Sequence, residues 1–197
     1  MGTIVIDEKY DCCRRILKEE IGKKRYLHSI GVSNTAACLA MRYGSDVQKA
    51  AMAGLLHDCA KGLSEEELVI MTERKQIVIS PIERSNPELL HSKAGSILAK
   101  EKYGINDEDI CSAIFWHTTG KPDMKLLEMI IFTADYIEPN RCNIPGLDEI
   151  RKTAFVDLDE TIVMICANSI EYLKRSSKEI DAKTLETYEY YSKRCKN

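Results

Sequence analysis

The sequence predicts an all-α protein, for three reasons. Apolar residues recur every three or four positions along most of the chain, and the alternation typical of a half-buried strand is scarce. The most β-rich stretch, residues 77–79, is too short to imply a sheet. Proline and glycine, with 5 and 10 residues among 197, are too sparse for a many-stranded design. We therefore expect about eight to ten helices in one domain, residues 1–197.

Each helix is placed by its apolar spacing and by residues that begin or stop helices. Gly44 is a stop signal, Ser64 opens a capping box, and Asn106 with Asp109 is expected to cap a later helix. Residues 81–87, which a proline bounds at each end, are interpreted as a loop. In chain order, helices are expected over residues 7–21, 26–43, 47–57, 64–74, 88–103, 106–117, 126–137, 157–176 and 181–194.

The charge balance argues against two kinds of partner. With 28 basic and 31 acidic side chains the formal charge is −3, so no overall field draws the chain to nucleic acid or to an anionic membrane. No apolar stretch approaches the roughly 18 residues of a membrane span, and the first residues carry no targeting pattern. We expect a cytoplasmic protein that binds neither nucleic acid nor membrane.

The eight cysteines predict no metal or redox site, because none belongs to a C-x-x-C pair. In a reducing compartment such residues are mostly small core hydrophobes. We assign them no chemistry.

The candidate for chemistry is the pair His57-Asp58, which closes an apolar helix and is followed by Lys61. An imidazole, a carboxylate and a cation thus lie within about one helical turn. Each of the four histidines stands beside another candidate functional group. Asp135 lies in an otherwise apolar helix, where a carboxylate must be paired, hydrogen-bonded or metal-bound. Mixed His and Asp ligands suit iron, manganese or zinc better than calcium.

Five sequence words in a fixed order resemble a known family. The order His28, His57-Asp58, Asp135 resembles the H...HD...D signature of HD-domain metal-dependent phosphohydrolases. Over about residues 25–151 the words resemble the YqeK family of symmetrical bis(5'-nucleosyl)-tetraphosphatases. The words are RYLHS at 25–29, LLHDCAK at 55–61, LLHS at 89–92, AIFWHTTG at 113–120 and ADYIEPNR at 134–141.

The resemblance implies an HD-type helical bundle with a buried metal site. Its metal-binding core would span about residues 22–141, with peripheral C-terminal helices at about 157–194, and a homodimer is also suggested. The family's usual metal is iron, as one or two ions, with manganese or zinc as alternatives. The implied metal ligands are His28, His57, Asp58 and Asp135.

The resemblance also implies catalytic and substrate-binding roles. His91 and His117 match histidines that face the substrate phosphates, and they are candidates to complete a second metal site. The candidate catalytic residues are Asp58, Lys61, His91 and His117. The candidate substrate-binding residues are Lys61, His91, His117, Thr118, Asp135 and Arg141.

Four further residues have alternative interpretations. Arg25 either pairs with a nearby carboxylate or contacts substrate. Glu138 is interpreted as a partner of Arg141 or as solvated. Trp116 and Tyr136 are interpreted as core residues, because an aromatic side chain at helical spacing is more often core than a base platform.

The expected reaction is the symmetrical hydrolysis of diadenosine tetraphosphate to two ADP. Its polyphosphate carries about four negative charges, so attack by hydroxide is opposed until a metal and basic groups neutralise them. Asp58 would help to position and deprotonate the water, and His91 and His117 would stabilise charge on the phosphoryl group or leaving ADP. Two alternatives stay open. One is an HD phosphohydrolase for a deoxynucleotide or a guanosine alarmone, and the other is a non-catalytic nucleotide- or metal-binding helical module.

Overall fold

A computed structural model describes residues 8–196, and within these residues the chain is helical, with no strand. It contains eleven α-helices and one 3₁₀ helix, which lies between α5 and α6. The helices are α1 (Glu8–Glu20), α2 (Lys23–Tyr43), α3 (Val47–Leu56), α4 (Glu65–Arg74), α5 (Pro81–Ser85), the 3₁₀ helix (Pro87–Leu90), α6 (His91–Glu101), α7 (Glu108–Trp116), α8 (Leu126–Ile137), α9 (Leu147–Thr153), α10 (Leu158–Arg175) and α11 (Ala182–Arg194). The all-α prediction is confirmed. Asp7, the expected first residue of α1, and residues 1–6 lie outside the described residues.

Local signals placed most helix ends correctly. Gly44 ends α2 in the left-handed region, with φ 72°, where a residue without Cβ is not strained. Ser64 accepts from the backbone N–H of Glu67 while the Glu67 side chain accepts from the backbone N–H of Ser64, which completes the capping box of α4. The bounds of α8 are those expected from its apolar run.

Two short helices and one cap differ from the prediction. The interpretation of residues 81–87 as a loop is wrong, because Ser80 caps α5 by the same reciprocal bonds and Pro81 occupies its first turn. The prediction contained no helix at α9. The cap of α7 is Asp107 rather than Asn106, since its carboxylate accepts from two backbone N–H groups of the first turn. The helix count therefore exceeds the expected eight to ten.

The core lies between α2, α3, α7 and α8, and the C-terminal helices also contribute to it. Tyr191 on α11 is fully buried, and its hydroxyl oxygen accepts a hydrogen bond from the backbone N–H of Met124 at 2.9 Å. Ile162 and Ile165 on α10 belong to the same apolar cluster as α8. Helices interpreted from the sequence as peripheral thus carry part of the core.

The cysteines divide into two groups, and all are free thiols. Cys13, Cys59, Cys111 and Cys166 are buried, as a core role requires, whereas Cys12, Cys38, Cys142 and Cys195 are exposed. The expectation of core thiols thus holds for only half of them. Among residues 8–196 no helix is both long and apolar enough to cross a membrane.

Candidate metal centre

Five helices bring the four histidines and two aspartates to one point in the core. His57 follows the last residue of α3 and His117 follows the last residue of α7, while His91 opens α6 directly after the 3₁₀ helix. His28 instead lies in the second turn of α2, inside the helix. Asp58 continues the chain after His57, and Asp135 lies in the last turn of α8.

The position of each histidine decides how its ring is held. The carbonyls in the last turn of a helix have no partner within that helix, and the Nδ1 atoms of His57 and His117 lie 2.8 and 2.7 Å from two of them, those of Gly54 and Ile114. The Nδ1 atom of His91 lies 2.7 Å from the Glu88 carbonyl oxygen, which also accepts the backbone N–H of His91 at the end of the 3₁₀ helix. A carbonyl can only accept, so Nδ1 carries the proton in all three rings. The Nε2 atom is left as the free acceptor of each neutral ring.

The Nε2 atoms converge on the two carboxylates. His28 Nε2 and His57 Nε2 are 3.2 Å apart, and His91 Nε2 and His117 Nε2 are also 3.2 Å apart. The Oδ2 atom of Asp58 lies 3.5 Å from His57 and 3.9 Å from His28, whereas its Oδ1 atom lies 3.4 Å from His91 and 3.6 Å from His117. The Oδ1 atom of Asp135 lies 3.0 Å from His28 Nε2 and 3.6 Å from His57 Nε2. Asp58 therefore stands between two pairs of histidines.

This arrangement fits divalent metal ions. Lone pairs that face one another at these distances repel unless positive charge lies between them. Ligand atoms about 2.1 Å from one ion are roughly 3.0 to 3.4 Å apart, for octahedral or tetrahedral angles, and the measured distances are close to this range. Ligand atoms lie within 4.8 Å of one another in three overlapping groups: His28, His57 and Asp58; His57, His117 and Asp135; and Asp58, His91 and His117.

The pKa values of the site point to the same demand for positive charge. Burial alone would raise the pKa of Asp58 and of Asp135, but the neighbouring imidazoles, together with Arg141 beside Asp135, hold both carboxyls well below their usual values. Burial alone would lower the pKa of His57, but the charges of Asp58 and Asp135 outweigh it and raise the pKa. The carboxylates thus draw a cation toward Nε2 of His57, and a metal ion satisfies this demand.

Arginines pair with both carboxylates at the rim of the site. Arg25 Nη1 lies 2.6 Å from Asp58 Oδ2, which agrees with the carboxylate alternative for Arg25. Arg141 donates from Nη2 to Asp135 Oδ1 at 2.7 Å and from Nε to the Asp135 carbonyl at 3.0 Å. A cavity of about 720 Å³ opens beside these arginines, and Lys23 and Lys24 also line it.

The other predicted residues lie around the histidine cluster. Lys61 is half-buried, and its charge adds to the effects of burial and His117 that lower the pKa of His91. Lys61 forms no ion pair within residues 8–196. Thr118 is exposed directly after His117. Trp116 is half-buried and packs edge to face on Phe115.

One contact was missed from the sequence. Glu138 does not pair with the Arg141 side chain, and it is not solvated. Its side chain is buried and its Oε1 atom lies 3.1 Å from Nδ1 of His28. The available signal was its spacing, because Glu138 directly follows α8 three residues after Asp135, and residues three apart lie on one face of a helix.

Comparisons with known proteins agree with this geometry. The HD domain family model matches residues 25–140. The symmetrical bis(5'-nucleosyl)-tetraphosphatase of Bacillus subtilis is 40% identical over 174 residues, which is 88% of this chain and 92% of the relative. The protein of the same name from Halalkalibacterium halodurans is 42% identical over 174 residues, with the same coverage of 88% and 92%. A Clostridium acetobutylicum structure described as a "predicted HD superfamily hydrolase involved in NAD metabolism" superposes with a TM-score of 0.90 at 43% identity, covering 94% of this chain and 97% of that one.

A helical fold that gathers His and Asp ligands in this order defines a class of metal-dependent hydrolases, and the chain belongs to the HD domain family. Within that class it belongs to the YqeK-type family of symmetrical bis(5'-nucleosyl)-tetraphosphatases.

Proposed function

We propose that this protein hydrolyses diadenosine tetraphosphate, and related dinucleoside polyphosphates, symmetrically to two ADP in a metal-dependent reaction. The observation that carries the proposal is the position of Asp58, whose two oxygens face two different pairs of histidine Nε2 atoms. The relatives from Bacillus subtilis and Halalkalibacterium halodurans are named for this activity, and their similarity extends over 88% of this chain.

The ligand set supports two ions that share Asp58. The first would be held by His28, His57, Asp58 and Asp135, and the second by Asp58, His91 and His117. We propose iron, with manganese and zinc as alternatives, because imidazole combined with carboxylate suits these metals. When bound, the ions supply Lewis-acid charge on the phosphoryl oxygens and a more acidic water.

The protein groups then have separate tasks. Asp58 remains ionised because its pKa lies well below the usual value. As a hydrogen-bond acceptor it orients the attacking water and helps to remove a proton from it. His91 and His117 stabilise charge on the phosphoryl group or on the leaving ADP. Lys61 and Arg141 are proposed to bind the polyphosphate.

Arg141 is suited to a bidentate phosphate contact because its guanidinium is already oriented by Asp135. Thr118 is proposed as a further phosphate contact, since it is an exposed hydroxyl-bearing residue next to His117 in the chain. Asp135 is proposed to touch substrate only through Arg141 and the first ion. The basic cavity next to Arg25 and Arg141 would receive the charged chain.

Four sequence-based expectations complete the proposal. We propose a single domain over residues 1–197, supported by the apolar cluster that joins the C-terminal helices to α8. The formal charge of −3 supports the absence of a nucleic-acid partner. The homodimer and the cytoplasmic location stay predictions.

The test is the identity of the products. The purified protein is incubated with diadenosine tetraphosphate in ¹⁸O-labelled water with Fe²⁺ or Mn²⁺. The nucleotides are then separated, and their masses are measured by mass spectrometry. Symmetrical hydrolysis predicts ADP alone, with one of the two ADP molecules labelled in its terminal phosphate. AMP plus ATP, or no turnover with metal bound, contradicts the proposal.

The same assay addresses the two alternatives. A panel with deoxynucleoside triphosphates and a guanosine tetraphosphate alarmone would show an HD phosphohydrolase of different substrate class if one of these were hydrolysed faster. A protein that binds metal and nucleotide but releases no product from the whole panel would be a non-catalytic module.

A further inference from the structure

We propose that Glu138 is a positioning residue, which fixes the ring nitrogen that His28 presents to the metal. The inference rests on the proposed role of His28 as a ligand. It goes beyond that role because it assigns a function to a residue outside the proposed metal ligands and phosphate contacts.

The inference begins with a difference among the histidines. The Nδ1–H groups of His57, His91 and His117 each donate to the carbonyl three residues earlier, because these residues lie at helix ends, and the Glu88 carbonyl also accepts the backbone N–H of His91. His28 lies inside α2, where the backbone carbonyls are used by the helix itself. Its Nδ1 atom therefore needs an acceptor from another part of the chain.

Glu138, at the end of α8, supplies that acceptor. Its Oε1 atom lies 3.1 Å from Nδ1 of His28, and the residue is only 1% exposed. Its Oε2 atom accepts from the backbone N–H of Asn140 at 2.7 Å and from the Asn140 side-chain amide at 2.9 Å. Both carboxylate oxygens are thus occupied, and the Nδ1–H of His28 has one fixed partner. Its Nε2 atom is directed at Asp135 and His57.

The charge of Glu138 is directed at His28. Within residues 8–196 no lysine or arginine forms an ion pair with the Glu138 carboxylate, and His28 is its one partner that can carry positive charge. A buried carboxylate without a cation is unfavourable. Metal bound at Nε2 would offset this cost through the imidazole ring, which is how carboxylate partners strengthen metal-binding histidines.

The sequence makes room for this contact at Gly31. A Cβ atom at this position would overlap the Oε2 atom of Glu138 and would lie 3.1 Å from the Asn140 amide nitrogen. Gly31 lies in a regular helix, where glycine is otherwise unfavourable. The close approach of the Glu138 carboxylate explains why no side chain fits there.

The test measures binding of Mn²⁺ alone to the full-length chain after removal of metal with a chelator. Glu138→Gln keeps the size of the side chain but leaves a single acceptor oxygen, which cannot serve both His28 and Asn140. Gly31→Ala keeps the carboxylate but displaces it. In both variants the affinity for the most tightly bound Mn²⁺ ion should be about 10- to 100-fold lower than in wild type. Gly22→Ala, which meets nothing within 4 Å, is the matched control and should bind as wild type does.

A double-mutant cycle shows whether Glu138 acts through His28. If it does, Glu138→Gln should cause no further loss of Mn²⁺ affinity in a His28→Ala background. An unchanged affinity in Glu138→Gln, or an equal loss in both backgrounds, would overturn the inference while leaving the proposed function intact. Wild-type affinity in His28→Ala would contradict the ligand assignment itself, and the inference with it.

Discussion

The two oxygens of Asp58 face surroundings that differ in charge. On the Oδ2 side lie His28 and His57 together with a second carboxylate, Asp135, and Arg25 pairs with the same oxygen. On the Oδ1 side lie His91 and His117, which are both buried. Burial and the neighbouring His117 lower the pKa of His91 to about 3.

This difference indicates two metal positions of unequal strength. The Oδ2 side offers two carboxylates and two imidazoles, a full set of four ligand groups, with Arg25 and Arg141 paired to the two carboxylates. The Oδ1 side offers two neutral imidazoles and depends on Asp58 for its only negative charge. We infer that the first position fills before the second.

The largest effect should follow from Asp58→Asn, because Asp58 is common to both sides. We expect loss of both ions and a fall in ADP formation of about 1,000-fold or more, which is about 4 kcal/mol of transition-state stabilisation. Metal content and kcat/KM check it. Asp46→Asn is the matched control, since Asp46 caps α3 and asparagine caps equally well. Retained metal and turnover in Asp58→Asn would show that Asp58 does not hold ions on its two sides.

A smaller effect is expected from His117→Ala, which alters mainly the Oδ1 side. The variant should keep about one tightly bound ion per chain, because the ligands on the Oδ2 side of Asp58 are largely intact. Its activity should fall roughly 100-fold. His57→Ala, on the other side, should reduce the affinity for the first ion. Elemental analysis separates the two results, and equal losses of metal in both variants would mean that the sides are not distinct.

Lys61→Met should weaken substrate binding and leave metal binding unchanged. Lys61 forms no ion pair within residues 8–196, so its proposed partner is a phosphate. Loss of one charge-assisted hydrogen bond predicts about a 10-fold rise in KM with metal content unchanged. Lys18→Met, at an exposed position at the end of α1, is the control. A loss of bound metal in Lys61→Met would show that the lysine supports the Oδ1 side instead.

A further effect, on folding stability rather than on turnover, concerns pH and the Oδ1 side. The pKa of His91 is about 3 in the folded chain and about 6.5 when unfolded, so the unfolded state gains a proton first as pH falls. Its contribution to stability is therefore complete above pH 6.5 and decreases progressively below it. In chelator, His91→Gln should reduce the loss of unfolding free energy between pH 7 and 5 by about 2 kcal/mol. Urea unfolding at the two pH values checks it, and an unchanged pH dependence would contradict it.

Local signals explain which parts of the fold were predictable. Gly44 and the Ser64 capping box act within a few residues of their own position, and both were identified from the sequence. The sequence Ser80-Pro81-Ile82-Glu83 carried the same capping signal, but two prolines favoured interpretation as a loop. Tyr191 shows the opposite case, because its partner Met124 is 67 residues away and no local pattern marks the contact.

The candidate site shows the same limit. The sequence words brought all six metal-site candidates into the prediction, and the structure places them together. Their order does not tell which oxygen of Asp58 faces which histidine pair, since that depends on how five helices pack. Glu138 was missed for the same reason, because its bond to His28 joins residues 110 positions apart. The absence of a side chain at Gly31 leaves the space that the Glu138 carboxylate occupies.

A metal titration with two simultaneous readouts tests most directly whether the two sides of Asp58 bind ions of unequal affinity. Chelator-stripped protein is titrated with Mn²⁺, and both bound ions per chain and ADP formed from diadenosine tetraphosphate are measured at each step. Two metal positions of unequal strength predict a tight first ion, a weaker second ion, and ADP formation that rises with the second. Full activity with one ion per chain, or two bound ions without ADP formation, would contradict it.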